Sequence, residues 1–332
     1  MNHIFKALIV REKDGKFEKK IEELGLQDLP QNEVLIQVSY SSVNYKDALS
    51  ASGNRGVTRK FPHVPGIDAV GEVVSSRAEG ISIGTKVLVT GYDLGMNTWG
   101  GFGEYIAVPA SWVILLPNGL SEKEAMCFGT AGLTAGLSIN RLIEAGIKPK
   151  NGKIVVSGAT GGVGSLSIAV LNKLGYHTVA ISGKSGDPFL TETLGAKEII
   201  SRTEFIEKYN SKPLSKTEFA AGIDTVGGDI LSGMLKSVQY DGAVTCCGMV
   251  ASIKLESSIF PFILRGASLL GVDSVEISTQ KRHKIWNLLA KEWKPKNLDQ
   301  IAQEITLEKL SDLIDDMLNG KIKGRYILKH KS

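Results

Sequence analysis

The stretch KIVVSGATGGVGS, Lys153 to Ser165, decides the fold. A short apolar run, Ile154-Val155-Val156, leads into Gly161, Gly162 and Gly164, and a helix-like segment from Leu166 to Leu174 then stops at Gly175. Strand, glycine turn and helix together hold a dinucleotide pyrophosphate, because unpaired N–H groups and the positive helix end both face the anion. The match is Ala159-x-Gly161-x-x-Gly164, with alanine at the first glycine of the usual fingerprint.

Working outward, the chain after Lys153 alternates strand and helix. Strands are expected at 153–156, 178–181, 198–200, 222–226, 242–246 and 268–272, with short helices over 188–194 and from Gly228 to about Ser237. Six alternating strands imply a doubly wound, Rossmann-type parallel sheet. Upstream, Ser121-x-x-Glu124 is a capping-box pattern that opens a helix running to about Glu144. The first 120 residues are β-rich, with short runs at 34–38, 69–74, 86–89 and 104–108, and read as a small barrel-like domain. The end of the chain reads as a helix over 281–293, an amphipathic stripe from Leu307 to Leu318 and a strand over 325–328.

The second strand ends in Ser182-Gly183-Lys184-Ser185, with no carboxylate before Asp187. An acid here would hold the ribose 2′-OH of NAD, whereas a hydroxyl and a lysine suit the extra phosphate of NADP. The pattern therefore favours NADP(H).

Composition excludes other classes. The 332 residues are 42% hydrophobic and 22% charged, with net charge +4 and no long block of one sign. That speaks against a nucleic-acid binder. No apolar run approaches the ~20 residues of a membrane span, and the N-terminus turns charged too early for a secretory signal. Cys127, Cys246 and Cys247 form no CxxC pair, and His3, His63, His177, His283 and His330 are scattered. A cytoplasmic, zinc-free protein is expected. Gly80 to Gly84 matches a hydrolase elbow, but a β-like run follows where a helix is required. The cluster Asn44-Tyr45-Lys46-Asp47 sets polar groups between Val43 and Ala48, as a pocket lining or as an ordinary helix start.

VNYKDAL (43–49), FPHVPGIDAVGEV (61–73), GTAGLTA (129–135), SGATGGVGS (157–165), DTVGG (224–228), PFILRG (261–266), LLGVDSV (269–275) and Gly324-Arg325 occur in order. Together they resemble the YhdH/YhfP-type quinone oxidoreductases and acrylyl-CoA reductases, zinc-free members of the medium-chain dehydrogenase/reductase superfamily. The zinc enzymes of that superfamily have ligands where this chain has Asn44, Ile67-Asp68 and the vicinity of Thr130, so the resemblance also implies no metal.

The resemblance implies a GroES-like catalytic domain over 1–125 and 268–332, interrupted by a nucleotide domain over 126–267. It implies a homodimer joined through the strand around Leu269–Val272, and a nicotinamide in the cleft between domains. Asn44, Tyr45 and Asp47 would be catalytic, with Asn44 and Tyr45 donating to the developing enolate and Asp47 orienting them. The cofactor would meet Asn44, Thr130, Thr134, Ala159, Thr160, Gly161, Gly162 and Val163. Ser182, Lys184 and Arg202 would surround the 2′-phosphate, and Gly248, Phe262, Ile263, Arg265 and Arg325 would complete the site. The implied activity is NADPH-dependent reduction of a quinone or of an activated alkene such as acrylyl-CoA. Arg55, Arg59 and Lys60 are the basic residues available to a CoA thioester. The rival class is a non-catalytic NADPH-binding sensor or structural protein.

Overall fold

A computed structural model describes residues 4–183 and 186–331. Contacts divide the chain into two units, 1–130 with 302–332, and 131–301.

The first unit opens with a hairpin, β1 (Ile4–Lys13) and β2 (Lys16–Gly25). Its two-residue turn, Asp14-Gly15, has both φ angles positive, at 51° and 73°, which matches the twist of the flanking strands. Then follow β3 (Val34–Val43), α1 (Tyr45–Ala51), β4 (Asp68–Ser76), β5 (Lys86–Thr90), β6 (Tyr105–Val108) and β7 (Ile114–Leu115). The chain returns to this unit as β14 (Ala302–Ile305), α9 (Leu310–Leu318) and β15 (Arg325–Lys329). The sheet order is β14-β15-β3-β4-β5-β7, with β6 also on β3. One face of α9 supplies Leu310, Ile314 and Met317 to a core shared with Phe5, Leu8, Val43 and Phe102.

The register places the site. Antiparallel pairing sets Val43 beside Tyr326, and Tyr40 beside Val70. The end of β3, the start of β4 and the start of β15 thus converge.

Helix α2 (Glu122–Glu144) leads from the first unit into the second. Ser121 caps it as expected: Ser121 N–H donates to Glu124 Oε2 at 2.9 Å, and Glu124 N–H donates to Ser121 Oγ at 3.2 Å. It breaks at Gly129, where φ 52° and ψ −155° interrupt the helix.

The second unit holds β8 (Lys153–Val156), α3 (Gly162–Lys173), β9 (His177–Ile181), β10 (Glu198–Ile200), α4 (Arg202–Asn210), β11 (Phe219–Asp224), α5 (Gly228–Ser237), β12 (Val238–Cys246), α6 (Phe260–Arg265), β13 (Ser268–Gly271), α7 (Thr279–Ala290) and α8 (Leu298–Ile301). All six strands pair in parallel in the order β10-β9-β8-β11-β12-β13. This is the Rossmann order, reversing between β8 and β11. The expected strands are all present; the 188–194 segment is a π-type turn, Phe189–Thr193.

The second boundary differs from the expected one. Residues 268–301, assigned above to the catalytic domain, belong to the nucleotide unit. β13 completes the parallel sheet, and α7 lies so close to α2 that a Cβ on Gly136 would meet Ile285 Cγ2 at 2.5 Å. No helix among the described residues is long and apolar enough to cross a membrane.

Candidate active site

At the carboxyl end of the parallel sheet, the turn after β8 explains the altered fingerprint. The left-handed residue is Gly158, with φ 56°, and a Cβ there would strike Thr225 Oγ1 at 2.3 Å. Ala159 follows it, buried and without positive φ, so an alanine costs nothing at that position. Gly164 is required for close packing, because its Cβ would lie 2.3 Å from the Gly158 carbonyl. Gly161 caps α3, and Thr160, Gly161, Gly162 and Val163 remain at least partly open to solvent. These features fit an anion resting on the start of α3.

The neighbouring strand end is stitched to this turn. Ser157 Oγ donates to Asp224 Oδ1 at 2.8 Å and accepts from Thr225 N–H at 2.8 Å. Asp224 also accepts from Gly227 N–H at 2.8 Å, and burial raises its carboxyl above the usual range. Gly248 packs on the Thr225 carbonyl, where a Cβ would sit 1.9 Å away. The DTVGG segment is therefore architecture for the cofactor end of the sheet.

At the end of β9, Ser182 is buried, and its N–H donates to the Ile200 carbonyl at 3.1 Å. Arg202 opens α4 with its guanidinium 3.6 Å from where a Gly183 Cβ would stand. Lys184 lies outside the described residues.

Three expected cofactor residues have other surroundings. Arg265 donates to the carbonyls of Lys236 at 2.8 Å and Val238 at 3.2 Å, and also to that of Ser215. Val238 begins β12, at the amino end of the parallel sheet and opposite the glycine turn, so Arg265 ties up backbone rather than cofactor. Phe262 packs on the core of the second unit, and Ile263 is an exposed apolar side chain. Thr134, by contrast, is buried and donates to Ser274 Oγ at 2.8 Å, in the loop after β13.

The other site lies in the first unit and centres on Asp68, which the sequence reading gave only as a lost metal-ligand position. Its buried carboxylate accepts from Asn44 Nδ2 at 2.9 Å, Thr130 N–H at 2.9 Å, Thr130 Oγ1 at 2.5 Å and Ser42 Oγ. Asp47, also buried, accepts from Asn44 N–H at 2.7 Å and Ile67 N–H at 2.8 Å. Burial first, and the charge of Asp68 second, push the Asp47 carboxyl up to about 7.

Asn44 bridges the two acids. Its Nδ2 points to Asp68 and, at 3.3 Å, to Asp47, while its Oδ1 accepts from Arg325 Nη1 at 3.1 Å. Both amide hydrogens face protein acceptors, so Asn44 is held within this network. Arg325 is 3% exposed and also donates to the carbonyls of Val43 and Cys127. It sits behind Asn44, buried among these groups, rather than on an open surface. Desolvation lowers its pKa, opposed first by Asp68.

Gly129 makes room for all of this. A Cβ there would lie 2.4 Å from Ser42 Oγ, 2.6 Å from Asp68 Oδ2 and 3.0 Å from Arg325 Nη2. Tyr45 is the outward member: it is 42% exposed, and its hydroxyl makes no hydrogen bond among the described residues. The signal for Asp68 was present in the sequence. A carboxylate between Ile67 and Ala69 at the head of an apolar strand must be paired if it is buried.

Asn44, Asp68 and Thr130 thus form one hydrogen-bonded cluster. Among the described residues no group of three His, Cys, Asp or Glu is placed to hold a metal. Arg55, one of the three basic residues, is engaged elsewhere. It pairs with Glu12 at 2.5 Å and stacks over Phe17 and Phe61 at 5.6 and 5.4 Å, whereas Arg59 and Lys60 are exposed.

Residues 30–118 match the alcohol dehydrogenase GroES-like domain, and residues 162–291 match the zinc-binding dehydrogenase model. Acrylyl-CoA reductase AcuI of Ruegeria pomeroyi is 38% identical, covering 98% of this chain and 99% of that protein. The yhdH oxidoreductase of Salmonella enterica, solved with NADP, superposes with a TM-score of 0.94 at 41% identity over 98% and 100% of the two chains. Bacillus subtilis yhfP, solved with NAD bound, gives 0.95 at 39% over 99% and 100%. The chain belongs to the YhdH/YhfP/AcuI family. Its members are medium-chain dehydrogenase/reductases, and this chain is an α/β oxidoreductase of that superfamily. The family's GroES-like domain corresponds to the barrel-like sheet around Asp68, and its Rossmann domain to the six-stranded sheet.

Proposed function

We propose that the protein is a zinc-independent, NADPH-dependent reductase of an activated alkene, with acrylyl-CoA as the model substrate. The single observation that carries this reading is that one chain holds both a built anion cradle at 158–164 and a polar cluster around Asp68 that leaves Tyr45 exposed. The cofactor-bound relatives support NADP(H) as the cofactor. Thr160 to Val163 would hold the pyrophosphate, and Ser182 and Arg202 the adenosine end, Arg202 facing the 2′-phosphate. NADPH supplies the hydride.

The chain's own part is electrostatic. Hydride addition to the β-carbon of a conjugated thioester makes an enolate, and an enolate needs a preorganised donor. Tyr45 is that donor, its hydroxyl kept open while Asn44, Asp47 and Asp68 fix the start of α1. The Tyr45 proton, or one relayed from water, then reaches the α-carbon. The acyl-CoA relative supports a thioester substrate, and exposed Arg59 and Lys60 suit CoA phosphates. A quinone would use the same donor at its oxygen.

NADPH oxidation with acrylyl-CoA and, separately, benzoquinone tests the assignment. Tyr45→Phe should lower turnover about 100-fold with NADPH affinity unchanged. A Tyr45→Phe enzyme with full turnover removes Tyr45 as the donor, and turnover of benzoquinone alone removes the thioester.

The second unit also suits self-association. β13 is an edge strand, and Met249, Val250, Ile253, Ile259, Ile263 and Leu264 are exposed apolar side chains. An uncovered edge beside such a patch invites pairing, consistent with a homodimer through 269–272.

A further inference from the structure

Three ionisable side chains are buried together at the start of α1: Asp47 on α1, Asp68 on β4 and Arg325 on β15. One guanidinium faces two carboxyls, so the fully ionised cluster carries an uncompensated negative charge out of reach of solvent. Such a charge is relieved most cheaply by taking up a proton. The donors around each acid decide which one takes it. Asp68 is held by four donors, two of them hydroxyls that can rotate, and it sits beside the end of the Arg325 guanidinium, as the two close approaches to Gly129 show. Asp47 accepts from no hydroxyl among the described residues. It is held by two backbone N–H groups and more distantly by the Asn44 amide.

We propose that Asp47 is the proton-exchanging member of this cluster, and that only its ionised form holds Asn44 in the working orientation. That turnover depends on this orientation rests on the reductase reading above; the protonation itself does not.

The reason is geometric. Every group that approaches Asp47 is a donor. A protonated Asp47 would point an O–H at the N–H groups of Ile67 and Asn44 or at the Asn44 Nδ2, where no acceptor waits. The relief available is rotation of the Asn44 amide, bringing Oδ1 to the new O–H. That rotation takes the acceptor away from Arg325 Nη1 and a donor away from Asp68. One proton on Asp47 therefore disturbs contacts to β15 and β4 at once, together with the first turn of α1 that carries Tyr45. The charged groups facing Asp47 are Asp68, which favours its protonation, and Arg325, which opposes it. The carboxyl's position near 7 puts the exchange within the working pH range.

Two readouts test this, one of them independent of any substrate. Infrared difference spectra of the full-length protein labelled with 13C-aspartate, taken from about pH 6 to about pH 8, should show a protonated carboxyl band that disappears as pH rises. The band should be absent in Asp47→Asn and present in Asp224→Asn, the control for the other buried acid with a raised pKa. In the same window kcat should fall about tenfold per pH unit on the acid side. Asp47→Asn, which keeps donors facing donors, should be slow and flat across the range while still binding NADPH. No titrating band, or a band that survives in Asp47→Asn and vanishes in Asp224→Asn, overturns the proposal. A titrating band with a flat kcat profile overturns the coupling to Asn44. A missing turnover with an intact band counts against the reductase reading instead. Should Asp47→Asn fail to fold, loss of the band in the wild type or in Asp224→Asn still decides against Asp47.

Discussion

Replacing Gly129 by alanine should damage the Asp68 cluster from the inside. The backbone there has φ 52° and ψ −155°, a region that only glycine occupies without cost, and an L-residue forced into it loses about 1–3 kcal/mol. The added methyl would also stand 2.4 Å from Ser42 Oγ and 2.6 Å from Asp68 Oδ2, an overpacking worth a further ~1–3 kcal/mol. Taking about 3 kcal/mol as the sum, the melting temperature should drop by about 6–12 °C. Gly146→Ala separates the two contributions. Gly146 has φ 86° with nothing within 4 Å of its Cβ position, so it carries backbone strain alone, about 1 kcal/mol. Thermal unfolding of the apo proteins by circular dichroism gives the comparison. A Gly129→Ala protein that melts with Gly146→Ala or with wild type, and keeps its turnover, would refute the claim that Ser42, Asp68 and Arg325 are packed against this glycine.

Other expectations follow from single contacts. Arg202→Ala should weaken NADPH binding about tenfold or more while leaving NADH unchanged, because a charge-assisted contact to phosphate is worth about 1.5–3 kcal/mol; equal losses for both nucleotides would contradict the 2′-phosphate role. Burial holds the His63 and His330 imidazoles below their usual range. Both are neutral in the fold, so the unfolded chain binds more protons and their contribution to stability declines as pH falls below about 6.5. The decline is up to about 1.4 kcal/mol per histidine per pH unit until the folded pKa is reached. A His63→Gln/His330→Gln protein should show a flatter unfolding midpoint between about pH 7 and about 5, and an unchanged slope would remove the histidines as its cause. Ile263→Glu with Leu264→Glu should convert a dimer to monomer in sedimentation analysis. A dimer that persists moves the interface elsewhere.

The Rossmann half was legible because each strand is an apolar run closed by glycine, and burial on both faces leaves that trace in sequence. The altered fingerprint was legible too, although the residue that needs positive φ, Gly158, stood outside the three glycines that drew notice. The β1–β2 hairpin was missed because Lys16 to Gly25 is densely charged; Asp14-Gly15 was its signal. Helix α4 was missed although Ser201-x-x-Glu204 repeats the capping pattern read at Ser121, and Ser201 Oγ does accept from Glu204 N–H.

The polar site was read only in part. Asn44, Tyr45 and Asp47 stood out as a cluster in sequence, but Asp68 lies 21 residues beyond Asp47 and Arg325 nearly at the other end of the chain. Only strand register brings them together, and register is not written in local pattern. The same limit misplaced Arg265: its neighbours in sequence resemble a cofactor loop, yet its guanidinium turns to carbonyls at the far end of the sheet.

The most direct test is to mix purified protein, NADPH and acrylyl-CoA, and to follow the nicotinamide absorbance with the thioester product. The account predicts stoichiometric conversion of one NADPH and one proton per propionyl thioester formed, with NADH a poor replacement. Tight NADPH binding with no oxidation, by the thioester or by a quinone, would contradict it.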